Sequence, residues 1–219
     1  IKEAILRAER AFLEVKPFIK VGKTEREIAL RLEEAVKRQG STKVPFEFIV
    51  ASGPNSAMPH ARPTERKIAP GDMVVIDWGA EANGYFSDMT RTLLFDGPER
   101  SKKIEIYNIV KSANERAIKA VRPDISVSDI DTEARDYINS QGYWKFFRHG
   151  TGHGVGLDVH EPPRVAGTSK EKVKKGMVFT IEPGIYIPEL GGVRIEDMVY
   201  VDEKPEVLTS LPKDLEIIN

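Results

Sequence analysis

The sequence predicts an α+β fold assembled from two similar halves, and three observations carry that prediction. A helix pair followed by a strand pair occurs twice along the chain. A Gly-bounded motif also recurs: Ile68-Ala69-Pro70-Gly71 precedes Ile76-Asp77-Trp78-Gly79, and Val173-Lys174-Lys175-Gly176 precedes Ile181-Glu182-Pro183-Gly184. The spacing is a constant 105 residues, from Gly71 to Gly176 and from Asp77 to Glu182, so an acid in one copy falls on an acid in the other. Two such units, approximately 1–95 and 100–205, would bury their apolar faces together as one pseudo-twofold domain spanning 1–219.

Each element has its own signal. Residues 1–16 place Ile1, Ile5, Ala8, Phe12 and Val15 on one helical stripe that Pro17 ends. Thr24 and Glu27 form a capping box for a second helix with Ile28, Leu32 and Val36 on its apolar face and Gly40 at its C-terminal end. Residues 45–51 read as a strand, and 73–79 with 85–94 as two strands around a turn at 81–84. A helix fits 100–121, with Ile104, Tyr107, Val110, Ala113 and Ala117 buried, and another fits 128–141, opened by Ser128 and closed by Gly142. Strands at 177–182 and 193–201 follow the Gly-rich stretch 149–156, with Gly191-Gly192 between them.

Composition bounds the function classes. Hydrophobic residues make up 40% and charged residues 31%, the balance of a soluble globular protein. A formal net charge of −1 offers no basic field for nucleic acid, and no apolar run is long enough for a membrane span. The absence of cysteine excludes thiolate nucleophiles and Cys-ligated zinc and fits a reducing, cytoplasmic setting.

The acids carry the chemistry. Asp77 lies in the apolar run 73–79, where an unpaired carboxylate would be costly. Pairing about 81–84 would set it opposite Asp88, with Cβ atoms roughly 4.5–5.5 Å apart. Two like charges so close hold one group protonated unless a cation lies between them. Glu182 and Glu196 repeat the pattern in the second half. Taken singly, Asp88 would also serve to cap a turn, and Glu196 to pair with Arg194. The four histidines, His60, His149, His153 and His160, all lie in or beside Gly/Pro-rich segments.

With these residues in place, the chain resembles the pita-bread metallopeptidases, the group of methionine aminopeptidase, Xaa-Pro aminopeptidase and prolidase. The resemblance covers nearly the whole chain. It implies an antiparallel sheet covered by helices and five metal ligands in the order Asp, Asp, His, Glu, Glu, which match Asp77, Asp88, His153, Glu182 and Glu196. The segments Phe86-Ser87-Asp88-Met89-Thr90-Arg91-Thr92, Thr180-Ile181-Glu182-Pro183-Gly184 and Gly192-Val193-Arg194-Ile195-Glu196-Asp197 are similar to those of the proline-directed branch. By the same resemblance, His60 and His160 match histidines that contact substrate and intermediate, and His149 one that lines the pocket after the cleaved bond. The usual additional N-terminal domain is not expected within these residues.

The implied activity is removal of an N-terminal residue preceding proline by a dinuclear-metal hydrolase. Glu182 would shuttle the proton, His60 and His160 would steady the oxyanion and backbone, and Arg194 would orient Glu196 or bind a substrate carboxylate. Two divalent cations are expected, Mn²⁺ or Co²⁺ first, with Zn²⁺ or Fe²⁺ as alternatives. The partner is a peptide with proline at its second position, and a homodimer is compatible. The rival readings are a methionine aminopeptidase and a non-catalytic peptide-binding module of the same fold.

Overall fold

The computed structural model describes residues 1–219. The chain opens with two helices, α1 (Lys2–Val15) and α2 (Glu25–Arg38). The capping box forms: the Thr24 hydroxyl accepts from the Glu27 amide at 3.0 Å, and the Glu27 carboxylate accepts from the Thr24 amide at 2.8 Å. Gly40 takes a φ of 97° just beyond α2. Strand β1 is Ile49–Ser52, shorter at its front than the expected 45–51. Pro45 has no N–H for a ladder, and the neighbouring strand leaves its own ladder just past the residue facing Ile49.

Strands β2 (Met73–Trp78), β3 (Glu81–Ala82), β4 (Tyr85–Phe86) and β5 (Met89–Phe95) make one interrupted hairpin. Its turn is the two-residue Asn83-Gly84, with φ of 53° and 84°. That two-residue turn matches the twist of paired strands. The register it imposes sets Asp77 opposite Thr90, not opposite Asp88 as a four-residue loop would have done. The hairpin is pinched at Gly79, where a Cβ would lie 1.9 Å from the Ser87 carbonyl oxygen.

The second half repeats the order. Helices α3 (Arg100–Ala120) and α4 (Val127–Ser140) lead in. Ser126 rather than Ser128 occupies the N-cap of α4, and the two hydroxyls bond each other at 2.7 Å. Ile104 is only half-buried on α3, while Tyr107, Val110, Ala113 and Ala117 are buried as expected. There follow β6 (Gly152–Gly154), β7 (Glu161–Val165), β8 (Val178–Ile181), β9 (Gly184–Ile187), β10 (Gly191–Arg194), β11 (Asp197–Val201), β12 (Pro205–Val207) and β13 (Ile217–Ile218). The expected strand 177–182 is β8, one residue shorter at each end, while 193–201 is broken at 195–196 into β10 and β11; β8 pairs with β11 and β9 with β10.

The main sheets run β1-β2-β5-β13 and β12-β11-β8-β6-β7. All pairs are antiparallel except β13 with β5, a parallel edge that the sequence pattern did not announce. One core packs α1 and α2 onto the first sheet around Trp78, Phe12 and Ile76, and the other packs α3 and α4 onto the second around Phe179 and Tyr107. The segment before β13 reaches back to α1, where the Glu9 carboxylate accepts from the Ser210 hydroxyl at 2.7 Å and the Leu211 amide at 3.1 Å. No helix is long and apolar enough to cross a membrane.

Candidate metal centre

Four acids stand where strand ladders break. Asp77 is next to last in β2, Asp88 directly precedes β5, Glu182 follows β8, and Glu196 precedes β11. Pro183 has no N–H, which suits the ladder's break after Glu182. Because Asp197 faces Ile181, the next step of that register sets Glu182 opposite Glu196. A bridge between Thr90 and Glu196 then joins the two hairpins. The result brings ligand atoms of Asp77, Asp88 and Glu196 within 4.8 Å of one another, and those of His153, Glu182 and Glu196 likewise. Glu196 belongs to both trios, which therefore describe two adjoining positions.

His153 enters from β6, where Gly152 lets the strand approach Thr180 so closely that a Cβ would sit 1.9 Å from its carbonyl oxygen. Its Nδ1 lies 3.1 Å from the Gly154 carbonyl oxygen, which leaves Nε2 facing Asp88 at 3.5 Å and Glu182 at 3.6 Å. Burial lowers the imidazole to about 4, so it is neutral and able to act as a ligand at ordinary pH.

The carboxylates are shifted the other way. Burial, then the charges of Glu196, Asp77 and Glu182, raises Asp88 well above the usual range. Glu196 is raised by burial and by Glu182 and Asp77. Burial pushes Glu182 up to about 7 against the opposing pull of Arg194. Asp77 Oδ1, Asp88 Oδ1 and Glu196 Oε1 are buried without any hydrogen-bond partner. Buried carboxylate oxygens in native proteins are paired or bound to a cation, and three orphans pointing into one cluster fit a divalent metal.

The remaining expected residues lie around a cavity of about 350 Å³ lined by His60, His149, His160 and Arg194 together with the cluster. His160 stacks obliquely on His153 with ring centroids 4.1 Å apart, and its ligand atom also falls within 4.8 Å of those of Asp88 and His153. His149 hydrogen-bonds Tyr186 at 2.9 Å, and burial lowers its imidazole to about 4. Arg194 makes no direct pair with Glu196. The strand breaks between them, and the buried guanidinium reaches Asp77 Oδ2 at 2.7 Å instead. It also donates to Thr90 Oγ1 at 3.1 Å, Pro59 O at 3.1 Å and Tyr186 Oη at 3.0 Å, so four of its five N–H groups are engaged within the protein.

Sequence reasoning missed two residues here. Thr90 donates its hydroxyl to Glu196 Oε2 at 2.7 Å, and Tyr186 joins His149 to Arg194. Period-2 alternation from Asp88 and from Glu182 would have pointed to both. Phe46, Glu47, Ile49 and Arg62 also line the cavity without having been singled out.

Comparison with known proteins fits this geometry. The model of metallopeptidase family M24 matches residues 1–203. An Xaa-Pro dipeptidase of Pyrococcus furiosus is 45% identical over 203 residues, which is 93% of this chain and 58% of that protein. Among solved structures, an Xaa-Pro dipeptidase from Bacillus anthracis superposes with a TM-score of 0.96 at 44% identity over 99% of this chain and 61% of that one. An X-Pro aminopeptidase from Thermotoga maritima does so with a TM-score of 0.95 at 40% identity over 100% of this chain and 61% of that one. The chain thus spans about 60% of the length of the relatives it matches. The fold is the α+β pita-bread fold of these neighbours; a metallopeptidase family implies divalent ions, and the cluster offers carboxylate and imidazole ligands for them. From the match along nearly its whole length and the acid-rich centre that the match encloses, the chain belongs to metallopeptidase family M24.

Proposed function

We propose that this chain is the catalytic part of a peptidase that uses two divalent cations to cut between a first residue and a following proline. The observation that carries the reading is the pair of overlapping trios, with three orphaned carboxylate oxygens, opening onto a cavity rimmed by histidines. Asp77, Asp88 and Glu196 would hold one cation, and His153, Glu182 and Glu196 the other. The oxygen-rich donor set with one imidazole favours Mn²⁺ over Zn²⁺, with Co²⁺ and Fe²⁺ between them. Cations bound there would supply Lewis acidity, lowering the pKa of a nearby water to about 7.

The chain's own groups do the rest. Glu182, which lines the cavity within the cluster, would take a proton from the attacking water and deliver it to the proline nitrogen. That nitrogen carries no proton in the peptide and needs one to leave as an amine. His160, beside His153, would donate to the carbonyl oxygen as charge develops, and His60, which also lines the cavity, would hold the substrate backbone. Arg194 acts within the protein, neutralising Asp77 and fixing its angle. The named relatives, Xaa-Pro dipeptidases and an X-Pro aminopeptidase, support the choice of proline at the second position.

The test measures metal content of the purified chain and its cleavage of Ala-Pro and Met-Ala peptides with and without added Mn²⁺. Metal-dependent cleavage of Ala-Pro is expected. A chain that binds no metal, or that cuts Met-Ala and leaves Ala-Pro intact, overturns the reading.

A further inference from the structure

We propose that Glu25 is a positioning residue for His60, stapling both ends of the loop that carries this imidazole to the cavity wall; the proposal rests on the site reading above. Glu25 is the first residue of α2 and is completely buried. Its carboxylate takes no part in the metal cluster. All its hydrogen-bond donors belong to one segment, residues 52–64.

Oε1 accepts from the Ser52 amide at 2.7 Å, the Ser52 hydroxyl at 2.8 Å and the Asn55 side-chain amide at 3.1 Å. Oε2 accepts from the Thr64 amide at 3.0 Å, the Thr64 hydroxyl at 2.6 Å and the same Asn55 amide at 3.1 Å. One carboxylate therefore binds where the loop leaves β1, at Ser52, and where it returns, at Thr64. The amino end of α2 lies against it, and a helix dipole favours a negative charge there.

What lies between the staples explains why this matters for the site. Pro59, His60, Ala61 and Arg62 line the cavity. The Pro59 carbonyl accepts from Arg194, which in turn holds Asp77, and Ser56 Oγ accepts from the Gly192 amide at 2.8 Å. The His60 ring is exposed, so its place is set through the backbone that carries it. A neutral amide at position 25 would keep the shape but offer one accepting oxygen in place of two. An amide nitrogen would then face donors at Ser52 or Thr64, and one end of the loop would lift.

The test uses the Mn²⁺-loaded chain with Glu25→Gln, His60→Ala and the double variant, and Thr64→Val as a milder change that keeps the backbone bond. Hydrogen exchange of amides 53–62 is read beside steady-state kinetics on Ala-Pro and Mn²⁺ affinity. The expected result has three parts. Loop exchange speeds up in Glu25→Gln and, less, in Thr64→Val. The kcat/KM value falls roughly ten- to hundredfold, the scale of a 1 Å misplacement. Mn²⁺ affinity stays unchanged, and Glu25→Gln adds no further loss once His60 is alanine. Unchanged loop exchange overturns the proposal, as does an equal loss in the His60→Ala background or a parallel loss of Mn²⁺ affinity. If Glu25→Gln fails to fold, Thr64→Val decides by the same three readouts. A wild-type chain that leaves Ala-Pro uncut sinks the activity reading, and the staple is then judged on loop exchange alone.

Discussion

The Thr90 hydroxyl donates to Glu196 Oε2 at 2.7 Å while accepting from Arg194 Nε at 3.1 Å. One small side chain therefore aims a carboxylate from the second half using a strand of the first. Groups that orient metal ligands typically influence affinity about 10–100-fold. Replacing Thr90 with valine keeps the volume and removes the hydroxyl, so Mn²⁺ affinity is expected to fall by that factor with the fold intact. Calorimetric titration with far-UV circular dichroism measures both quantities, and undiminished affinity would refute the role.

Crowded acids make the metal-free protein sensitive to pH in an unusual direction. Glu182 has its carboxyl raised from an ordinary 4.5 to about 7, and Asp88 and Glu196 are raised as well. Between those limits the folded chain binds more protons than the unfolded one, so stability falls as pH rises. Urea melts of chelated protein from pH 4.5 to 7 are expected to show wild type losing a few kcal/mol relative to Glu182→Gln. Saturating Mn²⁺ should reverse the trend, because metal binding needs the deprotonated groups. A difference between the two proteins that does not change with pH would exclude this account.

Glu81 behaves oppositely. Its carboxylate accepts from the Thr42 hydroxyl at 2.6 Å, the Gly84 amide at 2.7 Å and the Thr42 amide at 3.1 Å, which hold it down at about 2. Its stabilisation is present above the ordinary 4.5 and is lost as pH falls toward 2. Substituting glutamine should flatten the acid limb of the stability curve while changing little there at the lowest pH. Identical acid limbs for the two proteins would count against these bonds.

Gly79 tolerates no side chain, since its Cβ would meet the Ser87 carbonyl oxygen. Gly79→Ala must push apart the two arms of the hairpin on which Asp77 and Asp88 lie. We expect a loss of about 3 kcal/mol, at the upper end for overpacking, and weaker Mn²⁺ binding together. Thermal melts with and without metal check it, and a wild-type melting temperature would contradict the pinch.

Much of this was legible from residue order alone. Thr24 and Glu27 announced the start of α2, and the 105-residue spacing aligned Asp77 with Glu182 at two strand ends. The register around Asp77 differs from the expected one because Asn83-Gly84, the strongest short hairpin signal, makes a two-residue turn in place of a four-residue loop at 81–84. The partner of Arg194 could not be read locally, as it depends on which strand of the other half lies beside it. The parallel β13 edge was hidden for a similar reason: a two-residue strand has too little alternation to show a period.

The tie between Glu9 on α1 and residues 210–211 ahead of β13 has a kinetic side. It closes a loop spanning 201 residues, and the strand that follows covers the Leu94–Phe95 edge of β5. Contacts so distant along the polymer form late and slow the search for the native state. Until they form, β5 presents bare amides and carbonyls to its neighbours. A chain interrupted before Ser210 would therefore leave that edge open to pairing with another strand.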